Sequence, residues 1–176
     1  MRATRDLVSV AAAAFVLLFT FCHLMGASSS PEAREKGYFA TLTIFTLLLT
    51  CFVLVAGAPP AMVAAVSSLN VMVVAIYYSL INTSYVKGTS FLLHGGIACI
   101  LLFSLATDRL SARGAWLSSG LLAGGLLVLN ACLQLSHEQR KGVQIYPGCA
   151  SFAHPVWRLA FLPLVGALVA AWISSV

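Results

Sequence analysis

Six apolar stretches, at residues 7–27, 38–56, 59–81, 90–107, 116–136 and 157–175, take up most of this 176-residue chain. Each has the length of a helix that crosses a hydrocarbon core of about 30 Å, which needs roughly 17 to 25 apolar residues. The pattern predicts an all-α fold, an integral membrane bundle of six transmembrane helices forming one domain over 1–176. Composition agrees. The chain is 60% hydrophobic and 9% charged, with a mean hydropathy of +0.96, whereas an ordinary soluble domain carries about 25% charged residues. Ten Lys and Arg against five acids leave a net charge of +5. These charges fall almost wholly in the breaks between apolar runs, where loops face lipid headgroups, so the lipid bilayer is the expected partner and no nucleic-acid surface is.

The breaks carry turn chemistry. Residues 26–37 hold a serine run, Pro31 and four charges, while Gly57-Ala58-Pro59-Pro60 is so short that the flanking helices must form a hairpin. Residues 82–89 contain Lys87, Gly88 and the sequon Asn82-Thr83-Ser84, and residues 108–114 contain two arginines. The longest break, 137–155, holds His137, Glu138, Arg140, Lys141, Tyr146, Pro147, Cys149 and His154, a chemical variety that suits a functional loop as well as a solvated connector. The first apolar run resembles a signal peptide, but Met25 occupies the minus-three position of the candidate cleavage point after Ala27, where a small residue belongs. It is expected to stay as the first helix. The five cysteines show no CxxC or metal-ligand spacing, and four lie in apolar runs where Cys acts as a small hydrophobe. Neither a metal nor a resident cofactor is called for.

With six spans, the termini share one side with the loops after helices two and four. Four Lys and Arg fall there and six on the other side, so the positive-inside rule hardly orients the chain. The same topology brings His23, Thr43 and His94 towards one face, from which the loop with His137 and His154 also emerges. At about 1.5 Å of rise per residue, Thr43 and His94 both lie roughly 7 to 8 Å below their helix starts. An imidazole inside an apolar span is a functional candidate by default, and a hydroxyl at the same depth is a group that such a base activates. Depth alone does not single out Thr43. Thr41, Thr46 and Thr50 share its helix, and threonine is common in membrane helices because its hydroxyl bonds the carbonyl one turn back. For His94 the competing role is an interhelical hydrogen bond. Ser67, Ser68, Asn70 and Asn130 suit bonds across helices, and Gly120, Gly124 and Gly125 suit close approach. Asn130 alternatively orients His94 or donates to an oxyanion.

The flanking residues resemble a known family. Phe39-Ala40-Thr41-Leu42-Thr43-Ile44-Phe45-Thr46-Leu47 looks like the segment in which the androgen-induced multi-span hydrolases, which cleave fatty acid esters of hydroxy fatty acids, carry their nucleophilic threonine. That threonine falls on Thr43. Leu92-Leu93-His94-Gly95-Gly96-Ile97 is similar to the segment with the family's catalytic histidine, which falls on His94, and a later acidic residue falls on Asp108. Gly142-Val143-Gln144-Ile145-Tyr146-Pro147, with Arg158 eleven residues on, resembles the family's loop and the arginine before its last helix; here Gln144 stands where the family has Trp. The resemblance runs from about residue 37 to the C-terminus. It implies six spans, an endoplasmic reticulum or other endomembrane location, a lipid ester substrate and a threonine–histidine hydrolase.

In such a reaction Thr43 attacks the ester carbonyl and His94 moves the proton, because a hydroxyl is a poor nucleophile without a base within about 3 Å. Asp108 lies about 21 Å from His94 along one helix and cannot orient its ring, so the pair is a dyad. Asn130, Arg140, Lys141, Tyr146 and Arg158 are the candidates for holding the oxyanion or the substrate carboxylate. Two other readings are a haem-binding electron carrier with His94 and His23 as axial ligands and a non-catalytic membrane bundle.

Overall fold

A computed structural model describes residues 11, 14, 15, 18, 21 and 25, and 41–56, 58–79, 95–99, 115–145 and 154–175. Among these, every element is helical: α1 (Leu42–Ala56), α2 (Pro60–Ser79), α3 (Trp116–Lys141), a π-helical turn (Trp157–Phe161) and α4 (Leu162–Ser175). Residues 95–99 are also helical, as are the six described residues of the first apolar run.

Local chemistry sets the ends. The Thr41 hydroxyl accepts a hydrogen bond from the Ile44 amide at 3.4 Å, capping α1. Pro60 opens α2 at the first helical position, where its missing N–H is one that no helical carbonyl would receive, and the Pro59 carbonyl accepts from Met62 at 2.9 Å and Val63 at 3.1 Å. The 57–60 hairpin expected from the sequence therefore lays α2 against α1. Asn70 ties them together, its amide donating to Thr50 Oγ1 at 3.0 Å, while the Thr50 hydroxyl donates to the Thr46 carbonyl at 2.8 Å.

The helix expected over 116–136 continues to Lys141. His137 begins a polar segment, but Glu138, Gln139, Arg140 and Lys141 are competent helix formers, and Arg140 and Lys141 face the negative end of the helix dipole. The stop is Gly142, whose φ of 65° is left-handed and whose amide donates back to the Glu138 carbonyl at 2.8 Å, a glycine cap.

α3 and α4 pack antiparallel through small residues. A Cβ on Gly120 would lie 3.1 Å from the Ala167 carbonyl oxygen, and one on Gly124 would lie 3.5 Å from that of Pro163, as in close-packed membrane helices with a small-xxx-small spacing. Gly125, expected to share this role, turns about 100° away from the α4 contact, and a Cβ there meets nothing within 4 Å among the described residues. Gly120→Leu should separate the two backbones and lower stability by about 1–3 kcal/mol, read as a fall in the denaturation midpoint in detergent; an unchanged midpoint would remove this glycine from the contact.

Ahead of α4 the helix widens. The Leu162 amide reaches back to the carbonyl of Trp157, a five-residue bond. The next residue, Pro163, has no N–H to give and its ring would crowd the carbonyl four residues earlier, so a π turn relieves the strain at that place. It points Arg158 inward, buried, while Trp157 and Phe161 remain exposed with ring centroids 4.6 Å apart.

One core joins all four helices: Leu42 of α1 with Leu69, Met72 and Val73 of α2, Ala123 and Leu127 of α3, and Leu162 and Ala170 of α4. A second joins Ile44, Leu47, Cys51 and Val53 of α1 with Val66 of α2 and Ile97. The outer faces are apolar, with Leu117, Leu121, Leu129 and Leu133 of α3 and Leu164, Leu168 and Trp172 of α4 exposed. Trp116–Lys141 and Trp157–Ser175 are long and apolar enough to cross a membrane.

Candidate functional site

A small cavity lies where the first turn of α1, the second half of α3 and the π turn meet. Leu42, Leu127, Asn130, Ala131, Gln134, Arg158 and Leu162 line it, and it is large enough for about one water molecule. Each element contributes for a local reason. Asn130 and Gln134 stand four apart on α3, so both face inward, and Gln134 Nε2 donates to Asn130 Oδ1 at 2.8 Å. One further turn along the same face comes Glu138. Its Oε2 accepts from Arg158 Nη2 at 2.7 Å, and its Oε1 accepts from the Ile145 amide at 2.9 Å. A single carboxylate thus clamps the loop after α3 and the turn before α4 to one helix end.

The burial of this ion pair gives it weight. The Arg158 side chain is 3% exposed and that of Glu138 is 15%, a setting in which a charge needs its counter-charge. Ile145 of the Gly142–Pro147 motif and Arg158, which the resemblance links only by spacing, are therefore joined through Glu138.

Of the residues expected at the site, Asn130 and Arg158 come together on the cavity. Thr43 is buried at 8% exposure, one residue beyond the cavity-lining Leu42. Arg140 and Lys141 are exposed on the last turn of α3, where Arg140 Nε donates to the Ser136 carbonyl at 3.2 Å, away from the cavity lining. His94, His23 and Tyr146 lie outside the described residues. Ser67 and Ser68, expected to bond across helices, instead donate within α2 to Val63 and Ala65, each at 2.7 Å, since a short hydroxyl finds the carbonyl one turn back first.

Gln134, and Glu138 as a helix residue rather than a loop one, join the site without standing out in the linear sequence. Their signal was present in the spacing Asn130, Gln134, Glu138, a polar stripe on one helical face, but it shows only if the helix runs past residue 136.

The helical wheel of α1 adds another stripe. At about 100° per residue, Thr43, Thr46 and Thr50 fall within an arc of about 60°. Leu42 borders it on the side of the four-helix core, and Leu47 on the side of the cluster that contains Ile97. All three threonines are buried, Thr46 and Thr50 completely.

No known family, curated protein or solved structure matches the chain. The functional reading rests on these residues and on the short motifs around them.

Proposed function

We propose that this chain is a six-span integral membrane protein of the endoplasmic reticulum or another endomembrane that hydrolyses lipid esters, with Thr43 as nucleophile and His94 as base, and with fatty acid esters of hydroxy fatty acids as its substrates. The observation that carries the reading is the second core cluster. Ile44 and Leu47, one and four residues beyond Thr43, share it with Ile97, three residues beyond His94, so described residues of both motif segments meet in one apolar cluster. The buried setting of Thr43 also suits chemistry that must exclude bulk water from an acyl intermediate.

In the first half-reaction Thr43 Oγ1 bonds to the carbonyl carbon, the carbonyl π pair moves onto oxygen, and His94 takes the hydroxyl proton. Collapse of the tetrahedral intermediate breaks the bond to the alkyl oxygen, which leaves as the alcohol with that proton. Water then repeats the sequence on the acyl-threonine, giving its proton to His94, releasing the fatty acid and restoring the Thr43 hydroxyl. Histidine suits both transfers because it titrates near neutral pH.

Purified protein in phospholipid vesicles should release a hydroxy fatty acid and a fatty acid in equal amounts from their ester. Release no faster than in protein-free vesicles would overturn the assignment.

A further inference from the structure

Thr46 Oγ1 is buried and makes no hydrogen bond among the described residues, although its residue is completely buried and sits inside a helix. The omission is specific. Helical hydroxyls elsewhere in the molecule take the carbonyl one turn back, as Thr50 does with Thr46 at 2.8 Å, Ser67 with Val63 at 2.7 Å and Ser174 with Ala170 at 2.8 Å. The same kind of bond is open to Thr46, and it is not made. A buried polar group without a partner is unfavourable and rare enough in native proteins to need a reason.

Position supplies the reason. Thr46 follows Thr43 by three residues on the same face of α1, and side chains so related have Cβ atoms about 5–6 Å apart. That spacing puts the second hydroxyl within reach of the oxygen of a tetrahedral centre bonded to Thr43 Oγ1. An oxyanion donor needs to be about 2.7–3.1 Å from the developing charge and oriented before the reaction. A hydroxyl that is excluded from water and has no hydrogen-bond partner among the described residues keeps its proton available to that charge, since no bond has to break when the charge appears.

We infer that the Thr46 hydroxyl donates a hydrogen bond to the oxyanion formed when Thr43 attacks an ester, making Thr46 a catalytic residue of the same site. The inference rests on the hydrolase reading above. It assigns a donor on the same helix face as Thr43, whereas the cavity-lining Asn130 lies across the Leu42 border of the stripe.

The test is Thr46→Val beside Thr46→Ser, both assayed in vesicles with the same ester and both carried through a melting curve. Thr46→Val keeps the side-chain shape and removes the hydroxyl. The expected result is a fall in kcat of about 100-fold or more with KM nearly unchanged, a melting temperature equal to or above that of the wild type, and recovery of most of the rate in Thr46→Ser. A purely structural role would move the melting temperature and leave kcat alone. Wild-type kcat in Thr46→Val, alongside an inactive Thr43→Ala, overturns the role of Thr46 and leaves the hydrolase reading standing. If Thr43→Ala keeps wild-type turnover, the hydrolase reading fails and the role of Thr46 fails with it.

Discussion

In the proposed hydrolysis, Thr43→Ala and His94→Ala are each expected to lower ester turnover by about 10³-fold or more, because a nucleophile and its base act as a unit and losing either one loses most of their joint effect. The double variant should be no slower than the worse of the two. Expression and helical content should hold in all three, since Thr43 contributes one small side chain to a core built from Leu42, Ile44 and Leu47. Initial rates at saturating substrate, measured beside circular dichroism, separate loss of chemistry from loss of fold. If the two single effects multiply in the double variant, the residues do not work as a pair.

Glu138→Ala is expected to destabilise the protein by about 3–5 kcal/mol, because it takes the balancing carboxylate from a guanidinium that is almost wholly out of water. It also removes the acceptor of the Ile145 amide, so the loop after α3 should open to proteolysis at concentrations where the wild type resists. Two further variants identify the cause. Glu138→Gln keeps an acceptor for Ile145 but not the charge, and should lose much of the stability while holding the loop. Glu138→Leu combined with Arg158→Met removes both charges and should recover most of the stability, since a buried pair replaced by apolar groups is often neutral. Chemical denaturation in detergent reads all three. If Glu138→Ala costs no more than a surface substitution, the ion pair does not anchor the helix end.

Much of the fold is legible in the residues. The short break with two prolines dictates the α1–α2 hairpin, Asn70 in an apolar run announces a bond between helices, and Gly120 with Gly124 marks the face of α3 that meets α4. The exceptions have physical causes. Hydropathy falls at His137 while helix propensity does not, so the polar end of α3 reads as loop although its residues favour helix until Gly142. The π turn is a response to Pro163 two residues beyond its end plus packing of Arg158, and packing is invisible in a linear pattern. Gly166, unremarked in the sequence, is pinned by Leu127 and Met72, which come from two other helices. At the site, Arg158 and Asn130 are identifiable as polar residues in apolar surroundings, but Glu138 becomes a partner only when the helix extends to it. Thr46 lacks the back-bond that Thr50 makes one turn further on, a property of three-dimensional structure that no spacing encodes.

The central claim is that Thr43 becomes acylated. It is tested most directly by trapping the protein with a serine- and threonine-reactive fluorophosphonate probe and locating the adduct by mass spectrometry of the peptide that spans α1. The account predicts modification on Thr43, absent in Thr43→Ala and strongly reduced in His94→Ala. Labelling of a different residue, or labelling that persists undiminished in Thr43→Ala, would contradict it.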